Sequence, residues 1–128
     1  MMAALNRVQL IGYLGIEPEA RFTPSGSKVT TFRVAVRRRF KKDDAWQEAT
    51  EWINVEAWGR LAETCATYLH KGSLVYVDGE LRTDRYEDKA GATKYFTKVV
   101  AQQMQMLDRK PVDEPAPSIE EEAAAYAA

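Results

Sequence analysis

Trp52, Asn54, Glu56 and Trp58 fall on alternate positions of one segment, and Ile53, Val55 and Ala57 fill the positions between them. Side chains alternate across a strand, so a strand that gives its aliphatic side to a core turns two indoles, an amide and a carboxylate to the other side. Six residues at about 3.3 Å each put the two rings roughly 20 Å apart. Rings at that interval suit stacking points several nucleotides apart on one extended polynucleotide. Unpaired bases stack on aromatic side chains at about 1 to 3 kcal/mol each, with little regard to sequence. Cations crowd the neighbouring segments. Arg33, Arg37 and Arg39 share one parity and Phe40 follows them; Arg82, Arg85 and Tyr86 cluster further on; Arg60 follows Trp58, and Lys94 opens the last apolar stretch. Lys and Arg neutralise phosphates and release counterions. Rings interleaved with cations point to single-stranded nucleic acid. Composition does not separate DNA from RNA, because a 2′-OH contact leaves no sequence signature.

Other chemistries find little to work with. One cysteine excludes an internal disulfide, and Cys65 with the single histidine, His70, is two ligands short of a structural zinc shell. Cys65 lies on an apolar stripe and is expected in the core. His70 reads as a helix-end cation. Gly12 and Gly15 are not a phosphate loop, because no helix follows at the required spacing. No cofactor is expected, and no catalytic residue is assigned. Asp78, Glu80 and Asp84 share one parity and are the chain's best case for a Mg²⁺ nuclease site. Acids and arginines alternating on a strand face are better read as exposed cross-strand pairs. A further rival is a protein-interaction module, in which the outward tryptophans pack against a partner surface.

Period-two alternation supplies the elements that hold these residues. It marks strands over Arg7–Leu14, Thr31–Arg37, Trp52–Trp58, Val75–Tyr86 and Lys94–Leu107. Thr23–Gly26 reads as a turn, Lys41–Asp44 as a polar loop and Asp88–Ala92 as a hairpin loop. Between the third and fourth strands the period changes. Leu61, Cys65, Tyr68 and Leu69 form one helical stripe, with His70 and Lys71 in the last turn and Gly72 as cap. The order β-β-β-α-β-β is that of an all-β, five-stranded OB-fold barrel with one helix between strands 3 and 4.

Charge divides the chain in two. Residues 1–110 carry all 18 basic and 14 acidic residues, a net +4, and are the expected folded domain; residues 111–128 carry five acidic residues and no base. This second segment holds three prolines and a run of alanines, and too little apolar surface to offset its ordering entropy. It is expected to be a disordered acidic tail. Apolar runs are too short to span a membrane, and the N-terminus lacks a secretory pattern, so the expected location is the cytoplasm.

The residues also resemble a known family. Leu5-Asn6-Arg7-Val8, Leu14-Gly15, Glu17-Pro18-Glu19-Ala20-Arg21-Phe22 and Ser25-Gly26 look like the opening of bacterial single-stranded DNA-binding proteins. Thr50-Glu51-Trp52, Trp58-Gly59-Arg60-Leu61-Ala62-Glu63, Tyr68-Leu69, Lys71-Gly72-Ser73, Val77–Thr83 and Met104-Gln105-Met106-Leu107 continue the match in order. The resemblance implies an OB-fold, a homo-oligomer (usually a homotetramer) and the coating of single-stranded DNA in replication, recombination and repair. It implies stacking by Phe40, Trp52, Trp58 and Tyr86, and backbone contacts by Arg60, Lys71, Arg85 and Lys94. It also implies that the first strand pairs subunits and that the Tyr76 region helps join dimers. Two positions depart from the pattern. Asp84 stands where a base is common. The family's usual end, an acidic run closing on Phe, is replaced by Glu120-Glu121-Glu122 and an alanine-rich close, so docking of replication and repair proteins by that tip is not implied.

Overall fold

In the computed structural model the structure describes residues 3–108. The acidic segment 111–128, expected as a tail, lies outside the described residues. Six strands and one helix follow in the order β1 (Val8–Leu14), β2 (Glu19–Phe22), β3 (Lys28–Lys42), β4 (Ala45–Trp58), α1 (Gly59–Tyr68), β5 (Leu74–Glu87) and β6 (Thr93–Met106). The sheet order is β1-β5-β6-β4-β3-β2, and β1 also pairs with β3 through Tyr13↔Ala35 and Leu14↔Val34. That last pairing closes β1, β3, β4, β5 and β6 into the expected five-stranded barrel, with the helix in the expected place.

The barrel's centre is filled by the in-facing residues of the alternating strands. Leu14, Phe32, Val34, Val55, Ala57, Val75, Val77 and Val99 are buried there, joined by Cys65 and Leu69 from the helix end of the core. Gly12 permits the closure: a Cβ at that position would run into the Ala35 carbonyl oxygen on β3. A buried hydrogen bond from Thr30 Oγ1 to the Ala62 carbonyl (2.7 Å) ties α1 to β3. Burial also pushes the Cys65 thiol up to about 11, so it is a core side chain and not a ready nucleophile.

Three details differ from the sequence reading. The short β2 pairs along β3 from Glu19↔Thr31 to Phe22↔Lys28; four exposed residues between two prolines show no apolar alternation to reveal a strand. Lys41 and Lys42 still belong to β3, and only Asp43 and Asp44, both at positive φ, make the turn into β4. The helix ends at Tyr68, so His70 and Lys71 lie beyond it, and the buried helical side chains are Ala62 and Cys65 while Tyr68 is exposed.

The three carboxylates of the metal reading are held apart. Asp78 is buried and accepts from Arg7 Nη2 at 2.6 Å and Tyr76 Oη at 3.0 Å. Glu80 pairs with Arg82, and Asp84 with Lys98. Among the described residues no three His, Cys, Asp or Glu side chains gather as a metal site would require. The hydrogen bond from Arg7 holds the Asp78 carboxyl below its ordinary value, against burial, which opposes it. A lowered native pKa gives stability that is full above the unfolded value of about 3.9 and is lost as pH falls through the native one. Asp78→Asn is therefore expected to melt lower than the parent at neutral pH and to lose less on acidification. Calorimetry from pH 7 into the acid range checks this; parallel curves for the two proteins would contradict it.

Candidate nucleic-acid interface

β3 and β4 pair without a break from Val29↔Trp58 to Lys42↔Ala45. In such a ladder, directly opposed residues share a face. One face of this long hairpin therefore carries Trp58, Glu56, Arg33 with Asn54, Ala35 with Trp52, Arg37 with Thr50, and Arg39 with Glu48. The other face carries Phe32 with Val55 and Val34 with Ile53, the barrel interior. Trp52 and Trp58 thus point away from the core, with relative exposures of 50% and 41%.

Each indole is seated. Trp52 lies over Gly15, where any Cβ would enter the ring, and the Arg33 guanidinium stands 5.7 Å from its centroid. Trp58 is the last residue of β4 and immediately precedes α1. Its Nε1 donates to Glu56 Oε1 at 2.6 Å. The other Glu56 oxygen accepts from Lys98 Nζ at 2.8 Å, and Lys98 also donates to Asp84 at 2.7 Å. Burial alone lowers the Lys98 pKa, but hydrogen bonds and charge attraction from Asp84 and Glu56 outweigh it and raise the value overall. This ion network crosses from β4 to β6 and β5. It joins the Trp-bearing hairpin to the second long hairpin, β5–β6.

On that second hairpin, Asp84↔Phe96 and Tyr86↔Lys94 lie on the face of Lys98, whereas Arg85↔Tyr95 lie on the face of the core residue Val99. Tyr86 is 52% exposed. Arg33, Arg37, Trp52 and Trp58 therefore share the outward face of the first hairpin, and Tyr86 and Lys94 the Lys98 face of the second, the two hairpins being joined by the Lys98 network. The structure does not bring all the sequence candidates there. Phe40 pairs with Gln47 on the opposite parity of β3, half-buried under the Arg38 guanidinium at 5.3 Å. Arg85 has the opposite parity on β5. Arg60 is exposed in the first turn of α1. Lys71 is exposed in the turn after the helix, its backbone N–H donating to Glu17.

Two rings on this surface escaped the sequence reading. Trp46 is 64% exposed, lies on the Trp52 face opposite Lys41, and has the Arg39 guanidinium 4.8 Å from its centroid. Its signal was the spacing 46, 52, 58, three tryptophans of one parity. Phe96 lines a cleft of about 280 Å³ together with Ile16, Arg33, Asn54 and Lys98. Its signal was the alternation Lys94, Phe96, Lys98. Half-exposed rings in contact with guanidinium groups can exchange a cation for a flat base, and the surrounding cations can hold the phosphates.

The chain is similar to known proteins over nearly all of its described residues. The model of the family described as the Single-strand binding protein family matches residues 5–107. The chain is 46% identical over 112 residues to Single-stranded DNA-binding protein 1 of Chlorobaculum tepidum, which covers 86% of this chain and 69% of that protein. It is 51% identical over 105 residues to Single-stranded DNA-binding protein 2 of Streptococcus agalactiae serotype III, covering 82% and 79%. Among solved structures, a chain described as a Plasmodium falciparum SSB complex with ssDNA matches with a TM-score of 0.78 at 26% identity, over 84% of this chain and 99% of that one. With a closed barrel and one helix among the described residues, and a family match that runs through both long hairpins, the chain belongs to the single-strand binding protein family.

Proposed function

We propose that this protein binds single-stranded DNA without regard to sequence, catalyses no reaction, and protects the strand during replication, recombination and repair. The observation that carries this reading is the row of half-exposed rings, Trp52, Trp58 and Tyr86, on a surface that also presents Arg33, Arg37 and Lys94. Stacking holds the bases apart and so prevents pairing. The cations neutralise the backbone. Arg60 and Lys71, both exposed, add cations outside the two hairpins, whereas Phe40 and Arg85 lie on the opposite faces of their hairpins and are not part of this row. As a binder of single-stranded DNA the protein would work in the cytoplasm, in association with the nucleoid; no described helix is long and apolar enough to cross a membrane. A homo-oligomer is supported by β1, one edge of which is paired to β5 along its length while the other meets β3 only at Tyr13 and Leu14. The rest of that edge is free to pair with a second copy. That the oligomer is a homotetramer is proposed from the family resemblance alone.

The experiment is a salt series. Binding of a fluorescein-labelled oligothymidine, followed by anisotropy, is expected to weaken linearly in log K against log salt. Because each phosphate contact on a single strand contributes about 0.7 to the slope, Arg33→Ala and Arg37→Ala should each flatten it by about that much. Affinity indifferent to salt, or absent at low salt, would overturn the reading.

A further inference from the structure

Trp52 and Trp58 are too far apart for neighbouring bases. Six strand residues separate them by roughly 20 Å, whereas stacked bases along one strand are about 3.4 Å apart. Something must hold the strand between them. The residues between them on the same face are Asn54 and Glu56, and both line the cleft of about 280 Å³. Its far wall is Phe96 on β6, a ring 44% exposed that shares its face with Tyr86 and Lys94. Phe32 and Val55 run beneath it with their side chains turned to the barrel interior, and Arg33 stands at its side. The cleft thus has a ring on one wall, an amide and a carboxylate on the other, and cations beside it. It is built from both hairpins, which Lys98 clamps together through Glu56 and Asp84.

We propose that this cleft holds one unpaired nucleobase, stacked on the Phe96 ring with its polar edge towards Asn54. The inference rests on the single-stranded DNA-binding reading above and assigns that surface a further base position. Phe96 provides the ring face. Asn54 offers both a donor and an acceptor, so the edge of any of the four bases finds a partner. Lys98 and Glu56 act as positioning residues: their mutual bond fixes the distance between the Asn54 wall and the Phe96 wall.

The test compares Phe96→Ala, Phe96→Leu, Phe96→Trp and Trp52→Ala by anisotropy with labelled oligothymidine at several salt concentrations. Phe96→Ala should weaken binding by about 5- to 150-fold, the stacking energy of one base. The salt slope should not change, because no phosphate contact is lost. Phe96→Trp should bind at least as tightly as the parent. Phe96→Leu keeps the apolar bulk without a ring face, so it should weaken binding too; it decides the matter if the alanine variant fails to fold by circular dichroism. Parental affinity in the Phe96 variants, with a loss in Trp52→Ala, would overturn the base slot and leave the interface standing. Parental affinity in all of them would bring down the interface reading as well.

Discussion

Replacing Trp52 and Trp58 together by alanine is expected to leave a folded barrel that has lost most of its grip on single-stranded DNA. Neither ring belongs to the core cluster, so the barrel should stay folded, but both are half-buried and Trp58 donates to the buried Glu56 carboxylate, so the melting temperature should fall. The sites are far enough apart for their effects to add. At about 1 to 3 kcal/mol per base, the double variant should lose about 2 to 6 kcal/mol, or roughly 30-fold to more than 10⁴-fold in Kd. Trp58→Phe should lose less than Trp58→Ala, since it keeps a ring and forfeits only the indole N–H bond to Glu56. Oligothymidine binding by anisotropy, with a thermal melt on the same samples, checks both halves. A folded double variant with parental affinity would show that these rings do not carry the strand.

The second large effect concerns stability and falls on Lys98. Its ammonium is largely buried between the carboxylates of Glu56 and Asp84, and Glu56 is itself buried. Lys98→Met leaves the Glu56 carboxylate buried beside an apolar chain, with only the Trp58 indole still donating to it. Removing one partner of a buried pair is commonly worth 3 to 5 kcal/mol. Because Asp84 is exposed and its share is screened, the expected loss is about 3 kcal/mol, at the lower end of that range. Replacing both charges, Lys98→Met with Glu56→Leu, should recover much of it, since no charge is then stranded. The raised Lys98 pKa keeps the network charged through the neutral range. Its contribution is full below the unfolded lysine value of about 10.4 and is lost only as pH rises through the higher native one. Urea melts of the two single variants and the double variant form the test. A double variant no more stable than Lys98→Met would contradict the stranded-charge account.

The barrel was legible wherever one side of a strand faces the core. Val34 and Val36, Val55 and Ala57, and Val75 and Val77 alternate with polar partners because each strand has one dry face and one wet one. That pattern also sent Trp52 and Trp58 outward correctly. It fails where both faces meet water. The outer halves of β3 and β4 form a two-stranded ribbon beyond the barrel, so Lys41, Lys42 and Trp46 show no apolar rhythm, and part of this hairpin read as loop. The same blindness lets Phe40 look like a companion of Arg37, when the ladder puts it on the other side. The helix end was misplaced for a different reason. Leu69 is buried and so extends the apolar stripe, but it is already extended backbone beyond the last turn. The cleft at Phe96 could not be read from sequence at all, because its walls come from β3, β4 and β6 and meet only through tertiary pairing.

The facing of two indole rings decides how the strand is held, and their own emission reports it. In a Trp46→Phe background the tryptophan emission, excited selectively over tyrosine, comes from Trp52 and Trp58 alone. Titration with oligothymidine is predicted to quench it progressively, in step with the rise in anisotropy of the labelled strand, and to level off at the same stoichiometry. Emission left unchanged at saturation, while the anisotropy shows the strand fully bound, would contradict stacking on these rings and place the contact elsewhere on the protein.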